Sequence, residues 1–108
     1  LLLLERLLTA PRSERLRSAP EIARRTDALD ALLEGWIGWW RDLLLWRSGL
    51  PDAVVNRERS VSLATFAEAL SPAAILSMLS LTEDALRRLR ANAAPQLVLE
   101  TLILEMPS

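Results

Sequence analysis

The chain has 108 residues, a length suited to one domain, with 51 % apolar residues and a net charge of −1 from 13 basic and 14 acidic side chains. Histidine and cysteine are absent, which removes the commonest general base, the commonest metal ligand, thiol nucleophiles and any disulfide frame. The near-neutral charge gives no electrostatic ground for free-standing nucleic-acid binding, and the longest apolar runs, four residues, fall far short of the roughly 20 that a spanning helix needs.

Leucine and alanine, with 25 and 15 residues, are strong helix formers, and β-branched residues are scarce. The composition predicts an all-α fold: one domain over residues 1–108, a single bundle of five or six helices joined by short loops. The basic residues are all arginine, which points to a GC-rich coding background rather than to function. The lack of cysteine fits a cytoplasmic protein.

Residues 1–10 read as the end of a helix stopped by Pro11. A first residue that is Leu rather than Met, inside an apolar helical run, predicts a segment of a longer chain. Leu1 to Leu4 is followed at once by Glu5 and Arg6, so it is no secretory apolar core. Residues 12–17 (RSERLR) predict a short turn capped by Ser13. Pro20 is awkward in mid-helix and welcome in a first turn. A separate helix is therefore expected from about Ala19 to Arg25; the alternative is one kinked helix over residues 13–25.

Thr26 is the expected N-cap of a central helix, with Asp27 in its first turn. That helix runs to about Ser48. It holds all four tryptophans, Trp36, Trp39, Trp40 and Trp46, and an adjacent charge pair, Arg41 and Asp42. At 100° per residue, its Leu, Ile and Trp residues from Leu29 to Leu50 fill about half the circumference, with Leu45 on the far side. Asp27, Asp30, Glu34, Arg41 and Asp42 form the polar remainder. So wide an arc predicts helices packed on it from more than one side. Gly35 and Gly38 cost about 1 kcal/mol each against Ala, and their spacing predicts close approach of another backbone; exposure is the bland alternative. Gly49 ends the helix at C′, followed by Pro51.

Residues 50–59 form a polar connection in which Val54 and Val55 are expected to tuck into the core. Ser60 is expected to cap a helix with Leu63, Phe66, Ala67 and Leu70 on one face. Ser71 and Pro72 make an N-cap and N1 pair. The next helix runs to about Asn92, with Ile75, Leu76, Leu79, Leu86 and Leu89 inward and a possible break at Thr82-Glu83. Asn92-Ala93-Ala94-Pro95 is a sharp turn, and Pro95 opens a last helix over residues 95–105. Leu97, Leu99, Leu102, Ile103 and Met106 are available there to pack.

Chemistry is hard to find. There is no glycine-rich phosphate loop and no triad can be built without His or Cys. Glu83 and Asp84 diverge by about 100° on a helix and read as a solvated face. Arg87, Arg88 and Arg90 could touch phosphate, but they also complement the dipole at a helix C-terminus. The tryptophans read first as core, then as a subunit interface, and last as a ligand pocket. The sequence predicts no catalytic residue, cofactor, metal or small-molecule substrate.

Two segments together, WIGWWRDLLLWRSG and LRRLRANAAPQLVLETLILEMP, resemble the C-terminal domain of bacterial clamp-loader subunits. The δ′ subunit of DNA polymerase III is the nearest in pattern, and γ/τ carry a related domain. The resemblance spans residues 29–107, anchored on Trp36, Trp40, Arg41, Asp42, Leu43, Leu44, Asn92, Pro95, Leu97, Glu100 and Leu102. It implies a non-catalytic oligomerisation domain, preceded in the parent protein by an AAA+ ATPase module. Such domains pack side by side into a collar that holds the ATPase modules while they load the sliding clamp during DNA replication. The implied partners are the other clamp-loader subunits, δ and γ/τ, in a hetero-oligomeric ring. DNA is reached only through the complex, and no membrane is involved. An unrelated helical adaptor binding a partner helix is the alternative.

The structural and interface candidates are Trp36, Trp39, Trp40, Arg41, Asp42, Asn92, Pro95 and Glu100. Arg41, with five donors in a fixed fork, is expected to reach Glu100 or the carbonyls near Asn92, tying the central helix to the last one. Asn92 is expected to satisfy exposed backbone groups at its turn.

Overall fold

The computed structural model describes residues 2–25, 28–50 and 60–107. They form six helices and, among the described residues, no strand: α1 (Leu2–Thr9), α2 (Arg12–Arg25), α3 (Leu29–Arg47), α4 (Ser60–Ala69), α5 (Pro72–Arg90) and α6 (Pro95–Leu104). The expected all-α bundle is what forms. Its radius of gyration, 13.4 Å, is that of a single compact domain of about 100 residues. No single helix among the described residues is long and apolar enough to cross a membrane.

The helix ends follow from local chemistry. The carbonyl of Pro11 accepts the first bonds of α2, from the amides of Glu14 and Arg15 (3.0 and 3.1 Å). Ser71 caps α5, its hydroxyl accepting from the Ala74 amide at 3.1 Å, with Pro72 at N1 as expected. At the end of α3, Gly49 has φ +81; its amide donates to Trp46 O (3.1 Å), and that of Leu50 to Leu45 O (2.9 Å). At the end of α5, Asn92 has φ 66, its amide donates to Leu89 O (3.1 Å), and that of Ala93 to Arg88 O (3.0 Å). Both are Schellman endings with the left-handed residue at C′. Pro95 then opens α6.

Several expectations are corrected. α2 is one helix with Pro20 inside it, so the break expected before Ala19 does not occur. Ala28, not Thr26, is the N-cap of α3; Thr26 and Asp27 lie outside the described residues, as do Val54 and Val55 in the following connection. α5 has no break at Thr82: that buried hydroxyl donates to the Met78 carbonyl one turn back (2.6 Å), and the helix continues. Leu76, expected to pack inward, is exposed, as are Leu50 of the apolar arc and Leu97, which the sequence makes available to pack. A Cβ built on Gly35 or Gly38 meets nothing within 4 Å, so no backbone approaches them closely.

α3 lies at the centre. It packs on α5 along one side and on α4 along the other, while α6 packs on α5 and α2. Arg90 pairs with Glu34 at one end of the α3–α5 contact, and Arg41 lines the same groove as Ser80 and Glu83 towards the other; the two helices are therefore antiparallel. α1 inserts Leu4 and Leu7 into the shared core and touches α4 where the Ser62 hydroxyl donates to a Glu5 carboxylate oxygen at 3.3 Å. The helices thus follow one another across the bundle as α1, α4, α3, α5, α6 and α2.

Candidate functional site

Of the predicted site residues, the three tryptophans go fully inside. Trp36, Trp39 and Trp40 are each 0 % exposed. Leu29, Leu33, Trp36, Trp40 and Leu43 recur at helical spacing along one buried stripe. Trp39 lies beside that stripe and turns towards α4, meeting Phe66 edge-on at 5.3 Å between ring centroids and Trp40 edge-on at 5.0 Å. No indole N–H of these three has a hydrogen-bond acceptor among the described residues. Each lost bond costs about 1–3 kcal/mol, offset by the large apolar area that a tryptophan buries. The cluster is core, with all three rings closed off from solvent.

Asp42, which the wheel puts in the polar strip of α3, is 2 % exposed and has a partner. Its register explains this: it stands three residues after Trp39 and four before Trp46, both on the apolar side. Arg41 is exposed. The tie expected from Arg41 to Glu100 or to the Asn92 turn does not form. Arg41 faces α5, whereas Glu100 accepts from Gln96 Nε2 at 3.0 Å on its own helix, and α6 packs away from α3 on α5 and α2. Asn92 contributes through its left-handed backbone rather than through the side chain that the sequence points to. Asn92 and Pro95 line a shallow depression with Leu29 and Asp30.

The tie that sequence reasoning assigned to Arg41 is made by Arg15, which is 2 % exposed. Arg15 Nε donates to Ala10 O at 2.9 Å and Nη2 to Leu8 O at 3.0 Å, while Nη1 lies 3.4 Å from Met106 O. One guanidinium thus serves the final carbonyls of α1 and the carbonyl just beyond α6, where helix dipoles favour a cation. Burial, and to a smaller extent the neighbouring Arg12, push its pKa below the ordinary arginine value. A signal was present in the sequence. Arg15 stands four residues before Ala19 and seven before Ile22, on the buried face of α2.

The surface offers two features with recognisable chemistry. Leu97 and Leu104, 63 % and 46 % exposed, lie seven residues apart and so share one face of α6. Between α3 and α5 runs an open groove of about 500 Å³ with Ile37 and Leu86 at its floor and Arg41, Arg87 and Arg90 along it. Arg87 pairs with Asp84 within α5, and Arg90 with Glu34 across the groove. No group of three or more metal-ligating side chains occurs among the described residues.

The fold is an all-α helical bundle with exposed leucines on α6 and an arginine-bearing groove between α3 and α5. Comparison with known protein families, with characterised proteins and with solved structures finds no match to this chain.

Proposed function

We propose that this chain is a non-catalytic oligomerisation domain of a clamp-loader subunit of DNA polymerase III, of δ′ or γ/τ type. In this reading it helps to form the collar that holds the ATPase modules as they load the sliding clamp during replication. The carrying observation is the ordered pair of motifs, WIGWWRDLLLWRSG along α3 and LRRLRANAAPQLVLETLILEMP across the α5–α6 turn. Much of each motif has a structural role: Trp36, Trp39, Trp40 and Leu43 fill the core, Gly49 and Asn92 end helices, and Pro95 begins one. The motifs' exposed leucines, Leu97 and Leu104, support assembly, since large leucines on a domain surface suit burial against a neighbouring subunit. The partners are the δ and γ/τ subunits in a hetero-oligomeric ring in the cytoplasm, with DNA contacted only through the complex.

Co-purification with the δ and γ/τ subunits of the same organism tests this. Removing α6 would be uninformative, because Val98, Leu99, Leu102 and Ile103 belong to the core. Leu97→Asp with Leu104→Asp changes only exposed side chains. The double variant is expected to lose co-purification while keeping the thermal transition of the parent chain. A parent chain that binds none of these subunits would mark a helical adaptor with other partners.

A further inference from the structure

The geometry points to the α3–α5 groove as a docking site for an acidic segment of a partner protein, one that carries carboxylates on either side of an apolar side chain. The floor supplies the apolar half of the match: Ile37 is half-buried and Leu86 is buried, with the groove open above them. The guanidinium groups supply the other half. Ile37 and Arg41 are one helical turn apart on α3, and Leu86 and Arg90 one turn apart on α5, so each apolar position has an arginine beside it. The span from the Glu34–Arg90 pair to Arg41 is seven residues of α3, roughly 10 Å of helix, which is about two turns of a docked helix.

The arginines are available. Arg41 is exposed and makes no hydrogen bond or ion pair among the described residues. The side chains of Arg87 and Arg90 are 74 % and 56 % exposed, and ion pairs so exposed contribute little and exchange readily. Each guanidinium has five donors, so one carboxylate of its own chain leaves room for another. Arginine presents a planar fork that matches a carboxylate.

The acids within the groove decide between partner classes. Glu83 lines it, and Glu34 and Asp84 border it through their pairs with Arg90 and Arg87. A nucleic-acid backbone, with a charge at every step, would meet these acids along its length, and the chain as a whole carries −1. A peptide with spaced carboxylates and an apolar side chain between them can place each group opposite its match. Ile37, Arg41, Leu86, Arg87 and Arg90 lie within the two motifs, but the assignment rests on their degree of exposure, charge and placement, and it uses neither the clamp-loader reading nor the leucines of α6.

Fluorescence anisotropy tests the assignment, using a labelled peptide in which two glutamates four residues apart bracket leucines. The same peptide with both glutamates changed to glutamine and a single-stranded DNA oligonucleotide serve as the other arms. The 108-residue chain is expected to bind the glutamate peptide and to bind the glutamine peptide at least about fivefold more weakly. Arg41→Gln should weaken binding of the glutamate peptide by about fivefold. Glu83→Gln should tighten it, because it removes a carboxylate that lines the same groove and repels the glutamates of the peptide. Both positions are exposed, and unchanged thermal melts show that the fold is kept. Absence of peptide binding, indifference to Arg41→Gln, or weakening by Glu83→Gln overturns the proposal. Tighter binding of the oligonucleotide than of the peptide overturns the protein-partner assignment.

Discussion

Arg15 holds a positive charge at a point where α1 ends and α6 ends, and its three contacts offset the cost of burying it. Arg15→Ala should lower stability by about 3 kcal/mol, since charge-assisted bonds and packing around the side-chain stem are lost together; urea denaturation measures it. Arg15→Lys should recover less than half of that, because an ammonium cannot span the divergent carbonyls as a fork does. Neither Arg15 nor buried Asp42 was recognised from charge alone, because charged residues are assigned to the surface by default. Their helical register with Ala19 and Ile22, and with Trp39 and Trp46, carried the information. Asn92 and Gly49 form a matched pair in left-handed backbone. Asn92→Gly should be neutral or slightly stabilising, whereas Asn92→Ala and Gly49→Ala should each cost about 1–2 kcal/mol in thermal melts.

At the scale of the helices, most boundaries could be read from punctuation. Pro11, Gly49, Ser71-Pro72 and Pro95 mark stops and starts because proline and glycine act through local sterics that tertiary packing rarely overrides. Pro20 is the exception. α2 continues through it because Ala19 and Ile22, on either side, are both anchored in the core. Pro20→Ala restores an amide donor in the helix interior and should raise stability by about 2 kcal/mol. Gly35 and Gly38 are also unexploited positions. With open space where each Cβ would stand, alanine at either site should stabilise α3 by about 0.5–1 kcal/mol, read as an upward shift in melting temperature. A loss of stability at either site would instead show a contact that the open space around them excludes. The neighbours of α3 were harder to read. Its wide apolar arc required several packing partners, but leucine-rich helices are interchangeable as partners in a sequence, and the motif order suggested α6 where α5 and α4 are found.

For the molecule as a whole, the core takes up Trp36, Trp39 and Trp40, so a subunit contact has to use what is left on the outside. Leu97 and Leu104 on α6 and the arginine-lined groove between α3 and α5 lie on different helices, which leaves the bundle with two separable surfaces. The composition had already set aside histidine and cysteine chemistry, and an all-helical architecture was legible from leucine and alanine content. The surfaces were not, because Leu97 and Leu102 look equivalent in sequence and differ only in which side of α6 faces α5 and α2. We propose this bundle as an assembly domain of a clamp loader. Sedimentation velocity on the chain mixed with the δ and γ/τ subunits of its own organism tests it most directly. A heavier stoichiometric complex that is lost on Leu97→Asp with Leu104→Asp is expected; a chain that sediments alone beside those subunits at micromolar concentration would overturn the assembly role.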